Sequence, residues 1–110
     1  MLAETAQSHE IVTEARECVA EIQFALGEIM ETITLKVFWE PSLNCYSFQH
    51  SHLIHTPTQA GPYRTSRPFA DTKEQAIEEA MRGFREFYSG AVEAGHTPSS
   101  GWLVLDEDFR

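Results

Sequence analysis

Basic side chains are scarce in this sequence: 8 Lys and Arg stand against 17 Asp and Glu, for a net charge of -9 over 110 residues. A field of that sign repels polyanions, which argues against nucleic acid as a partner for the chain as a whole. Cysteine is scarcer still. Cys18 and Cys45 are the only two and make no CxxC pair, which speaks against a disulfide or a reactive thiol and leaves two small buried hydrophobes as the expectation. No segment is apolar enough to span a bilayer; the longest uncharged run, Leu43 to Tyr63, is rich in Ser, His, Thr and Pro. The start, MLAETAQSHE, has neither the basic opening nor the apolar core of a secretory signal, so a cytoplasmic location without membrane contact is expected. There is no phosphate-binding glycine loop, and no Ser/His/Asp order or carboxylate pair marks a catalytic centre. Together these absences favour a binding protein over an enzyme, and one without a cofactor.

What is present is an ordinary globular composition, 42% hydrophobic and 23% charged, at a length that fits one domain. The charge is unevenly spread. Residues 1–31 hold seven acids and one base, whereas 32–70 hold one acid and three bases.

From Ser8 to Met30 the apolar residues Ile11, Val12, Ala15, Cys18, Val19, Ile22, Ala25, Leu26, Ile29 and Met30 fall within about 140° at 100° per residue, which predicts a long amphipathic helix. Thr32 to Glu40 (TITLKVFWE) alternates as a strand, Pro41 and Ser42 turn the chain, and Asn44 to His52 reads as its hairpin partner. TPTQAGP (56–62) is a loop, and Tyr63 to Phe69 a short third strand ending near Pro68. Asp71 or Thr72, with Glu74 or Gln75 three residues on, caps a second helix that runs to Ala94 and stops at Gly95. Trp102 to Leu105 is a final extended segment before an acidic tail. The expected fold is α+β, a two-layer sandwich. Residues 1–31 form an acidic helix, 32–70 an antiparallel sheet of three to four strands, 71–95 an amphipathic helix, and 96–110 a C-terminal strand and tail. The stretch RPFADTKEQAIEEA, a strand end running into a capped helix, resembles the close of strand-strand-strand-helix proteins such as HicB-like antitoxin domains, and that resemblance implies fold only.

Three groups are candidates for function. HSHLIH (50–55) holds His50, His52 and His55 at a spacing similar to the H-x-H-x-D-H of the metallo-β-lactamase fold, with Ile54 at the aspartate position. Strand alternation sends His50 and His52 to one face and His55 to the other, so metal binding there is the weaker alternative. Tyr63, Arg64 and Arg67 are a candidate anion site, basic groups beside an aromatic on a sheet. The largest asymmetry is on the first predicted helix. There Glu10, Glu14, Glu17, Glu21, Glu28 and Glu31 share one face with no interspersed lysine, a surface for a basic protein partner, with Phe38 or Trp102 as exposed anchors. In its narrowest form this is a phage or mobile-element inhibitor of host defence that imitates nucleic acid. The wide apolar face also suggests a homodimer through Ile11, Cys18, Ile22 and Leu26.

Overall fold

The structure, a computed structural model, describes residues 2–7 and 15–109. In chain order the elements are α1 (Leu2–Gln7), β1 (Glu17–Ala25), β2 (Thr32–Glu40), β3 (Cys45–His50), β4 (His52–Ile54), β5 (Phe69–Ala70), α2 (Lys73–Glu93), a 3₁₀ turn at Ser100–Trp102, and β6 (Leu103–Leu105). Four strands make one antiparallel sheet in the order β1-β2-β3-β5, while β4 and β6 pair separately. This is an α+β arrangement with one long helix.

The expected N-terminal helix is the main correction. Glu17 to Ala25 is a strand, paired antiparallel with β2 from Glu17 opposite Trp39 to Ala25 opposite Thr32. Ile22 and Phe24 lie opposite Leu35 and Ile33 and pack toward the core, while Glu21, Gln23 and Ala25 face outward, a two-residue period that a helix cannot use. A bulge between Cys18 and Ala20 sets Val19 and Ala20 side by side and hides that period in the sequence. Residues 8–14, the first third of the predicted helix, lie outside the described residues. The helical dimer seam goes with it: Leu26 is buried in this chain's own core, Ile22 packs against it, Cys18 is exposed, and Ile11 is not among the described residues. Exposed Cys18 also departs from the buried cysteine expected.

β2 occupies the span its alternation predicts, with Ile33, Leu35 and Val37 fully buried. Across the turn, β3 keeps the hairpin register, Leu35 opposite His50 and Val37 opposite Phe48. The second predicted strand is broken at Ser51, so that His52 begins β4 and pairs with Leu105 of β6. The third shrinks to β5, two residues, because prolines remove ladder donors from the chain that leads to it.

The second helix forms as its caps dictate. Thr72 Oγ1 accepts the Gln75 amide at 3.1 Å. At the other end Gly95, at φ +93°, lets the Gly95 amide reach Val92 O and the His96 amide reach Ala91 O, which together close the last turn. Ala76, Ala80 and Phe84 face the sheet. Small residues on that face let α2 lie close over Leu35, Val37 and Phe48. Its outer face carries the ion pairs Arg82–Glu79 and Arg85–Glu78.

Candidate functional site

With the helix gone, the carboxylates no longer share one face. Glu10 and Glu14 lie outside the described residues. Glu17 and Glu21 sit on β1, and the bulge between them turns them to opposite faces: Glu17 is opposite Trp39 on the core side, Glu21 opposite Lys36 on the outer side. Glu28 is exposed in the turn after β1, its amide bonded to Tyr88 Oη at 3.1 Å. The local charge nonetheless persists. Glu17 accepts the Ala3 amide, a neutral donor, at 3.0 Å, and Glu4 accepts the Trp39 indole N–H at 3.0 Å. Arg16, the one base in residues 1–31, is drawn off to Glu40 at 3.8 Å and lies 3.9 Å over the Phe38 ring. The expected anchors are not available to a partner, since Phe38 and Trp102 are both buried.

The three imidazoles do not converge. His50 ends β3 on the core side, between Phe48 and Phe84 at ring distances of 5.6 and 5.1 Å. His52 is beyond the Ser51 bend, its Nδ1 2.7 Å from Ser51 Oγ and its Nε2 3.3 Å from Glu31. His55 is fixed through its backbone, the amide donating to Trp102 O at 2.7 Å. Among the described residues no three His, Cys, Asp or Glu side chains are grouped to hold a metal ion.

Arg64, expected to face an anion, is committed elsewhere. It forms a two-pronged pair with Asp106, at 3.1 and 3.2 Å, and reaches Asp108 at 3.8 Å. Burial works against ionisation of Asp106, but the Arg64 hydrogen bonds, the Asp108 amide and the Arg64 charge outweigh it and hold this carboxyl below its ordinary range. Tyr63 packs against Phe87 in a tilted contact with ring centroids 5.1 Å apart and lies over Gly83, while Arg67 is exposed. The Arg64 guanidinium is thus paired with carboxylates, while its side chain stays 55% exposed.

The unanticipated feature is a cavity of about 230 Å³ where β5 stops covering β3. Its walls include Phe48, Gln49, His50, Arg64, Asp106 and Asp108. His50 is only 9% exposed. Burial drives its pKa below the usual imidazole range, against the raising pull of Asp106 and the Ala80 carbonyl and with a further lowering from Arg64. Because the folded value is depressed, the unfolded chain takes up this proton first as pH falls. The stability it confers is therefore whole above about pH 6.5 and drains away below it. Urea unfolding followed from about pH 8 to about pH 5 is expected to show that loss, and His50→Phe to flatten it. The Asp106 contribution disappears in a separate, more acid window. A slope unchanged in His50→Phe would remove His50 as its source.

The sequence signals for this cavity were weak: Gln49 is an unremarkable strand residue, and Asp106 is 42 positions from Arg64. Among the described residues, no helix is long and apolar enough to cross a membrane. No protein-family model matches the chain, and no curated protein or solved structure matches it significantly.

Proposed function

We propose that this chain is a non-catalytic binding module that docks a basic protein segment along the outer edge of its sheet. The observation that carries the reading is that β1, nine residues long, has no strand on its outer side among the described residues and belongs to the most acidic part of the chain. An unpaired edge offers amides and carbonyls to an extended peptide, and main-chain pairing would supply affinity while charge supplies selection. Glu21 and Glu28, both exposed, are the residues best placed to meet the partner, with Glu17 stabilising the adjoining α1. Two copies joined antiparallel about the middle of β1 would bring their Glu21 carboxylates together, which disfavours self-association and favours a lysine- or arginine-bearing strand. The narrower reading, a phage or mobile-element mimic of nucleic acid acting on host defence, needs a row of carboxylates on one side, and the bulge separates Glu17 from Glu21.

The test uses a labelled extended peptide alternating lysine with β-branched residues, titrated at low salt. Binding is expected, weakened roughly tenfold in the double variant Glu21→Lys and Glu28→Lys, mainly through the on-rate. Glu93→Lys at the far end of α2 should leave it unchanged. Equal affinity in the parent and the double variant would end the proposal.

A further inference from the structure

An antiparallel ladder uses the main-chain groups of every second residue, so an edge strand keeps the alternate set for another chain. Thr34 shows which set β1 keeps. Its amide donates to Ser51 Oγ at 2.8 Å and its carbonyl accepts the Ser51 amide at 2.9 Å, so both point toward β3. Ile33 and Leu35, the alternate residues of β2, therefore direct theirs toward β1, where they lie opposite Phe24 and Ile22. Glu21, Gln23 and Ala25, opposite Lys36, Thr34 and Thr32, aim their N–H and C=O groups away from the sheet.

The same stretch differs on its two faces. Glu21, Gln23 and Ala25 are exposed on the outer face, whereas Ile22 and Phe24 pack on the core. Those two are only half-buried, while Ile33 and Leu35 opposite them on β2 have no exposure at all. The apolar layer thus runs uncovered to the rim of the sheet. At one end the bulge at Val19 and Ala20 breaks the ladder, and Glu17 is taken up by the Ala3 amide. At the other, Gly27 turns the chain back, with Glu28 exposed just beyond it. The usable edge is Glu21 to Ala25.

Resting on the reading of β1 as a docking edge, we propose that the partner is an extended segment as long as this edge, antiparallel to β1, apolar at its second and fourth residues and basic at its fifth. Its first, third and fifth residues exchange main-chain bonds with Ala25, Gln23 and Glu21. Its second and fourth lie beside Phe24 and Ile22 and extend the core by one strand. The basic fifth side chain falls directly opposite Glu21, and a basic first residue lies nearest to Glu28. An antiparallel partner is preferred because that ladder is the more stable per residue.

The experiment titrates the protein at low salt with the end-blocked peptide Lys-Val-Thr-Val-Lys, followed by amide signals and amide hydrogen exchange in NMR. In the free protein the Ile22 and Phe24 amides should exchange slowly and those of Glu21, Gln23 and Ala25 fast. Saturation with peptide should slow the fast set by about tenfold. N-methylation of the third peptide residue removes a donor that faces the edge and should weaken binding about tenfold. The same change at the second or fourth residue removes a donor that faces solvent and should have little effect. Binding that tolerates N-methylation at the third residue, yet still falls in the double variant Glu21→Lys and Glu28→Lys, would overturn the ladder while leaving charge-selected docking in place. No binding of the unmodified peptide would overturn both. Sensitivity at the second and fourth residues instead would mean a parallel strand and remove this register. Slow exchange of Glu21, Gln23 and Ala25 before peptide is added would show the edge already covered, by a second copy or by the chain itself, and would equally end the proposal.

Discussion

Phe84→Ala is expected to lower the stability of the chain by about 3–5 kcal/mol, measured as the change in urea midpoint at constant slope. Phe84 is 3% exposed and lies where α2 crosses the sheet. Its ring meets Phe24 of β1 edge-on at 5.8 Å and His50 of β3 edge-on at 5.1 Å, so one side chain ties the helix to both outer strands of the long hairpin system. It also belongs to the cluster of Leu26, Ile29, Ile33, Ile54, Trp102 and Leu103, which joins the larger sheet to the β4–β6 pair. No neighbouring element can move in to fill the space without leaving another of these residues unpacked. Against a typical total of about 5–15 kcal/mol, the loss would bring the chain close to unfolding at room temperature. Phe69→Ala is the control. Phe69 is half exposed at the start of β5, and its loss should stay within about 0.5 kcal/mol. A Phe84→Ala cost as small as that of Phe69→Ala would mean that α2 does not pack on the sheet through this residue.

Gly27→Ala carries the second large effect, and its sign separates two folds. Gly27 stands at φ +55° in the turn between β1 and β2, where an L side chain costs about 1–2 kcal/mol. A Cβ there would lie 2.2 Å from Tyr88 Oη. The tyrosine would have to move, giving up the Glu28 amide bond, worth about 0.5–1.5 kcal/mol, and its edge contact with Trp102 at 5.8 Å, worth a similar amount. Together these predict a loss of about 2–5 kcal/mol in thermal or urea unfolding. Were residues 8–30 the continuous helix that their apolar spacing suggests, the same change would stabilise by about 0.8–1.0 kcal/mol, since glycine in a helix interior is unfavourable by that amount. A gain in stability would therefore restore the helix and remove β1.

Two residues in the N-terminal segment carried a warning of that outcome. Phe24 is the largest apolar side chain between Ser8 and Met30, yet on a helix it falls opposite the stripe made by Ile11, Cys18, Ile22 and Ile29, in the middle of the glutamates. Paired with Ile22, and separated from it by Gln23, it fits a strand. Gly27 then belongs to the hairpin turn. The helical pattern survived in the sequence because the bulge at Val19 shifts the alternation by one residue, and a shifted period of two imitates spacings of three and four.

Local chemistry alone determined α2, with its Thr72 cap and Gly95 stop, and β2, whose alternation extends unbroken over nine residues. The charge segregation is likewise covalent and holds under any fold. Each of these signals is complete within a turn or a strand, so neighbouring residues suffice to set it. Tertiary structure decided the rest. Whether residues 17–25 coil or extend depends on β2 being there to pair with them. The Ser51 bend that parts His50 from His52 depends on β6, some fifty residues away, drawing β4 out of line. The cavity exists because β5 ends early while the tail, fastened through Asp106 to Arg64, passes over the gap. Contacts between distant segments fix these features, and no local spacing of residues encodes them.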